Sequence, residues 1–127
     1  IMKIVSLILL VVFIISACES VEPDTSEKYP LPAIKIEKIE VENYNVVSTI
    51  LVGTPTPCWH YFQTEKSQDD FVYTAKIFGK YDGQPCLQMT GSFIREEVTI
   101  TFLSSGVKTL RFWQNDSTYL DTTITLQ

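Results

Sequence analysis

The chain has 127 residues, 45% of them hydrophobic and 12% aromatic, which suits one folded domain and excludes a disordered chain. Its formal net charge is −5, and the segment 1–17 carries only Lys3, so the remainder stands at −6. Nucleic acid wants clustered Lys and Arg, so nucleic acid is not an expected partner, and binding to anionic lipid through a basic patch is disfavoured for the same reason.

Residues 2–18 begin with one cation, Lys3, and continue as an apolar run, Ile4 to Ile15, broken only by Ser6. Small residues Ser16 and Ala17 follow, then Cys18. This is the layout of a signal peptide, helical in form. Twelve apolar residues make roughly 18 Å of helix, short of the ~20 residues a bilayer core needs. Ile15-Ser16-Ala17-Cys18 resembles the lipobox of bacterial lipoproteins: an aliphatic residue, two small ones and a cysteine. The resemblance covers about seventeen residues. It implies cleavage before Cys18 and acylation of that cysteine, so that the protein meets its membrane through lipid on Cys18 in an extracytoplasmic location. Several acyl chains anchor stably where one does not, at about 0.8 kcal/mol per buried CH₂. Glu19 is not the Asp that retains enterobacterial lipoproteins in the inner membrane, so the resemblance favours the outer membrane where the cell has one.

Glu19 to Pro32 (ESVEPDTSEKYPLP) holds four acids, one Lys and three prolines, without apolar periodicity. With Cys18 it reads as a tether, residues 18–32, that holds the domain off the membrane.

From 33 to 127 the pattern is of strands. Ile34 and Ile36 alternate with charge, then Ile39 and Val41 do so in the other register, which predicts a bulge near Glu37–Lys38. Val46–Val52 is the second run, Gly53–Pro57 a turn or crossover, and Trp59–Thr64 an aromatic-rich strand. After a turn at Gln68–Asp70, Phe71–Phe78 is apolar on both faces, which places it centrally. A turn at Tyr81–Pro85 leads to Cys86–Met89, a short strand or an irregular crossover. Val98–Phe102 alternates next, and Ser104–Gly106 turns the chain. The strands around Leu110–Trp113 and Tyr119–Leu126 form a hairpin across Asn115–Ser117. About seven strands in some 95 residues predict an all-β, Ig-like antiparallel sandwich.

Three further pieces, Pro55-Thr-Pro-Cys58, Gln84-Pro-Cys-Leu-Gln88 and Gly106-Val-Lys-Thr-Leu-Arg-Phe112, resemble small bacterial extracytoplasmic sandwich modules of unknown function. The resemblance covers about Val41 to Leu126 and brings no activity with it. The antibody-type spacing of Cys, Trp and Cys is absent, so the Ig likeness describes architecture only.

Cys58 and Cys86 are an even pair in an exported chain, which favours a disulfide; closing that loop stabilises by roughly 3.5 kcal/mol on the chain-entropy model. The alternatives are free thiols or a metal site of Cys58, His60 and Cys86, for which no fourth ligand is evident. His60 is the single histidine, so a hydrolytic triad would have to use it. Asp69–Asp70 and Glu96–Glu97 read as solvated faces. A Ca²⁺ site at Asp69, Asp70 and Asp82 has no loop motif behind it. The expectation is therefore no enzyme, no metal and no cofactor.

The aromatics remain. Trp59 and Tyr61 alternate with Cys58, His60 and Phe62, and Trp113 lies opposite Leu110 and Phe112. Exposed flat rings can stack on sugars or seat a partner, and a sandwich also uses a Trp in its own core. The sequence thus points first to a lipid-anchored envelope binding or scaffolding module, meeting an envelope protein or a glycan. An inhibitor of a protease or cell-wall hydrolase, presenting Gly53–Pro57 and Tyr81–Pro85, is the second reading. A carbohydrate-binding module using Trp59, Tyr61 and Trp113 is the third.

Overall fold

A computed structural model describes residues 27–81, 83, 86 and 91–127. The signal peptide, Cys18, most of the tether and nearly all of the 82–90 connection, including Asp82 and Leu87–Met89, lie outside the described residues.

Eight strands account for the described chain: β1 (Lys28–Leu31), β2 (Ala33–Glu42), β3 (Asn45–Thr54), β4 (Trp59–Gln68), β5 (Val72–Tyr81), β6 (Ser92–Thr101), β7 (Gly106–Asn115) and β8 (Thr118–Leu126). They form two sheets, β2-β3-β6 in one and β1, β4, β5, β7 and β8 in the other. The molecule is an all-β sandwich.

Period-two alternation supplies the core. Val46, Ser48, Ile50 and Val52 of β3 and Val98 and Ile100 of β6 are buried against Tyr73, Ala75 and Ile77 of β5 and Leu110 and Phe112 of β7. The irregularity foreseen in β2 is present as two register shifts, between Ala33 and Lys35 and between Ile36 and Lys38. They turn both Ile36 and Ile39 onto the core and leave Ile34 47% exposed. Asn43 turns the chain from β2 to β3 in the left-handed conformation (φ 55°), which Asn tolerates better than most residues.

Phe71–Phe78 was placed centrally by its two apolar faces, and β5 does have partners on both edges. One edge pairs with β4; the other is shared end to end by β7 at Val72–Ala75 and by β1 at Ile77–Lys80. The β5–β7 pairing is parallel, whereas the other ladders are antiparallel.

The tether reading ended too late. Lys28–Leu31, assigned to it for its prolines, is strand β1, and Leu31 is 2% exposed in the core. Pro30 is compatible with a strand here because β1 pairs on one side only, so its missing N–H leaves no ladder bond unmade. The chain then changes sheets at Pro32, whose carbonyl accepts the N–H of Gly53 at 2.9 Å.

Where the β4 and β6 edges meet, the sandwich is closed by polar groups. Lys66 Nζ donates to the carbonyl of Thr99 (3.2 Å) and Gln68 Nε2 to that of Thr101 (3.3 Å).

Candidate functional site

At the end of the sandwich where β1 enters, the two sheets part around an open groove of about 690 Å³. Tyr29, Pro30 and Pro32 line it from the β1–β2 corner, Pro55 and Trp59 from the β3–β4 connection, and Phe93 from β6. Tyr29 and Phe93 are 49% and 51% exposed. The rings are ordered by the strand registers. Trp59 is directly opposite Tyr81, and Tyr29 opposite Gly79, so these positions share the inward face of their sheet. Trp59 packs edge-on to Tyr29 (centroids 5.5 Å apart, planes at 78°) and tilted against Tyr81 (6.0 Å).

Cys58 and Cys86 form a disulfide across 28 residues, beside Trp59. That bond fits an oxidising compartment. It ties the Gly53–Pro57 connection to the segment following β5, so the wall carrying Pro55 and Trp59 is braced covalently. Both cysteines are thereby engaged with each other, and among the described residues no group of three His, Cys, Asp or Glu side chains converges as a metal site would. His60 is exposed and faces Lys80 across the β4–β5 ladder. Asp69 has a local job: one carboxylate oxygen accepts the N–H groups of Phe71 and Val72 (2.8 and 2.7 Å), and these bonds hold its carboxyl below the usual range.

The groove holds little titratable chemistry. Tyr29 donates its hydroxyl to Glu27 (2.7 Å), and that bond to a carboxylate raises the phenol's pKa. The other side-chain polar groups of the lining are the hydroxyls of Thr54 and Ser92 and the indole N–H of Trp59. Such a surface takes apolar groups.

The three aromatic candidates do not make one site. Trp59 lines the groove. Tyr61, 40% exposed, shares the inward face with it and bonds Thr64 Oγ1 through its hydroxyl (3.0 Å). Trp113 lies on the outer face of the same sheet, opposite Tyr119. There cations lie over rings: Lys76 over Trp113 (4.7 Å), Arg111 over Tyr119 (4.4 Å) and Lys80 over Phe62 (3.8 Å). A hollow of about 320 Å³ beside Trp113 is bordered by Glu65, Lys76, Asp116 and Tyr119.

Sequence reading singled out Trp59 and the Gly53–Pro57 and Tyr81–Pro85 connections, but not Tyr29 or Phe93. Tyr29 stands in a proline-flanked segment, and Phe93 is 38 residues from Pro55 in sequence. Only sheet pairing brings them together.

Comparison with protein-family models, with curated protein sequences and with solved structures gives no match to this chain.

Proposed function

We propose that this protein is a lipid-anchored, non-catalytic binding module of the bacterial cell envelope, held by acyl chains on Cys18 and engaging an apolar surface through the groove at its β1 end. The observation that carries this reading is the groove itself. An open hollow walled by Tyr29, Trp59 and Phe93 and braced by the Cys58–Cys86 bond is lined mostly by apolar side chains, the kind of concave surface a partner covers. The lipobox resemblance at Ile15–Cys18 supports the anchor, and the disulfide suits the compartment.

Two experiments test it. Cys18→Ser should release the protein from the membrane fraction; full retention of the variant would overturn the anchor. A pull-down from the host's envelope with the wild-type protein, repeated with Trp59→Ala, should yield a component that the variant fails to retain. Identical captures by both proteins would take the groove out of the function.

A second reading, inhibition of a protease or cell-wall hydrolase, draws on the same brace, because rigid end loops are what an inhibitor presents to a cleft. Capture of a hydrolase would favour it. The glycan reading keeps Trp113, whose neighbours Lys76, Asp116 and Tyr119 could meet sugar hydroxyls. Unchanged glycan binding after Trp113→Ala would remove it.

A further inference from the structure

We infer that the apolar surface engaged by the groove is the lipid layer in which Cys18 is anchored: the β1 end of the sandwich docks on the membrane, with Trp59, Tyr29 and Phe93 at the level of the headgroups. This deepens the reading above and rests on its anchor.

The first argument is position. Glu27, bonded to Tyr29, stands at the groove, and eight residues lie between it and Cys18. Fully extended chain spans at most ~3.6 Å per residue, so the lipid lies within about 30 Å of the groove. The opposite end is a ten-residue strand further on, another ~33 Å at 3.3 Å per residue. That end carries Asn43 and, in register with Gly106, Leu126 near the chain's last residue. The anchor therefore keeps the aromatic end nearer the bilayer, on average, than the other. Confinement on so short a lead makes even a weak surface affinity sufficient, because the second contact is intramolecular.

The second argument is chemistry. Tyr and Trp join an apolar body to a polar tip, and such rings settle at membrane–water interfaces. The prolines and Phe93 extend that apolar surface without adding groups that must stay wet. An acyl layer asks for no hydrogen-bond partners from this lining.

The third argument is the distribution of charge. Lys28 and Lys80 face each other across β1 and β5 at the groove end. Glu40 and Glu42 of β2 and Asp69 and Asp70 before β5 lie at the other end. Lys28 is bonded to Glu65 (3.0 Å) and Glu27 stands beside Tyr29, so the groove end is close to neutral against the acids of the other end, and charge contributes orientation rather than adhesion.

The chain's two tryptophans, Trp59 in the groove and Trp113 on the outer face of the larger sheet, supply the test. The lipidated protein, isolated from membranes, would be reconstituted into phosphatidylethanolamine–phosphatidylglycerol vesicles containing brominated phosphatidylcholine. In Trp113→Phe, emission from Trp59 should shift to the blue and be largely quenched by the bromine. In Trp59→Phe, emission from Trp113 should be unaffected. Amide hydrogen exchange of the wild-type protein, with and without vesicles, should show added protection confined to 29–32 and 53–59. Protein that floats with the vesicles while Trp59 stays unquenched would overturn the docking and leave the anchor standing. Equal quenching of both tryptophans would overturn the assigned surface. Protein that does not float would refute the anchor, and the docking with it.

Discussion

Lys108, on the inward face of β7, donates its ammonium to the backbone carbonyl of Asp70 at 2.5 Å. It also donates to the hydroxyl of Ser104 (2.8 Å), and it lies between the rings of Phe71 (5.3 Å) and Phe102 (5.4 Å). A lysine 1% exposed, with no carboxylate bonded to it among the described residues, is held by a carbonyl, a hydroxyl and two π faces, and so fastens the connection before β5 to the one before β7. These connections form the end of the sandwich opposite the groove.

The cage sets the first prediction. Lys108→Ala removes two charge-assisted bonds and the stem that fills the space between the rings, and should cost about 2–4 kcal/mol. Lys108→Met keeps the stem, and the abandoned Asp70 and Ser104 are exposed enough to take water, so its cost should be about 1 kcal/mol. Urea unfolding of both variants measures the difference. Equal losses would mean that the ammonium, and not the stem, carries the effect.

The disulfide gives the second. Cys58 and Cys86 close a loop of 28 residues, so the Cys58→Ala/Cys86→Ala double variant should lose roughly 3.5 kcal/mol if the effect is chain entropy in the unfolded state. A marginally stable domain would then melt well below the wild type. Because the bond also braces the groove wall, hydrogen exchange at 53–59 should speed up in the variant by more than the global loss explains. A uniform increase along the chain would assign the bond to stability alone.

The sandwich was legible in the sequence wherever a strand has one wet face. The hairpin of β7 and β8 and the bulged β2 follow from alternation, because the pleat sends successive side chains to opposite faces, and the central place of β5 follows from its two apolar faces. Three features were not legible, each for a physical reason. Lys28–Leu31 is too short to show a period, and its prolines imitate a linker. The parallel pairing of β5 with β7 depends on how β1 and β7 divide one edge, which no local pattern encodes. The groove is assembled from β1, β3, β4 and β6, so its members are neighbours only after folding. Trp59 is legible as a candidate because it is a large flat ring on a strand. Tyr61 and Trp113 were chosen on the same ground, and strand parity separates them: Tyr61 falls inward opposite Gly79 and Trp113 outward opposite Tyr119.

Tyr73 gives the third prediction. Its ring is 1% exposed in the core, and its hydroxyl has no hydrogen-bond partner among the described residues. Burial pushes the phenol's pKa well up, because a phenolate there would lose its water. A buried hydroxyl without a partner costs about 1–3 kcal/mol, whereas the ring's apolar contacts are shared by phenylalanine. Tyr73→Phe should therefore be neutral or stabilising by about 1 kcal/mol in thermal unfolding. A clear loss would mean that the hydroxyl is hydrogen-bonded in solution.

Gly79 gives the fourth, and it joins stability to the groove. It lies inward on β5 between Tyr29 of β1 and Tyr61 of β4. A Cβ placed there would stand 2.6 Å from Leu31 Cδ1 and 3.0 Å from the carbonyl oxygen of His60. The first atom is a side-chain tip, but Leu31 is buried and has little room to yield; the second is backbone of a paired strand and cannot move without breaking the ladder. Gly79→Ala should then cost about 1–3 kcal/mol by overpacking, and the strain should be relieved at the weaker partner. That partner is β1, four residues held on one side, and not the ten-residue β4. Hydrogen exchange should accordingly show β1 opening while the β4–β5 ladder stays protected. Tyr29 leaves the groove when β1 opens, so Trp59 loses its edge-on neighbour and its emission should shift to the red in the same variant. A destabilised protein with unchanged Trp59 emission would show that the groove's aromatic wall stands without β1.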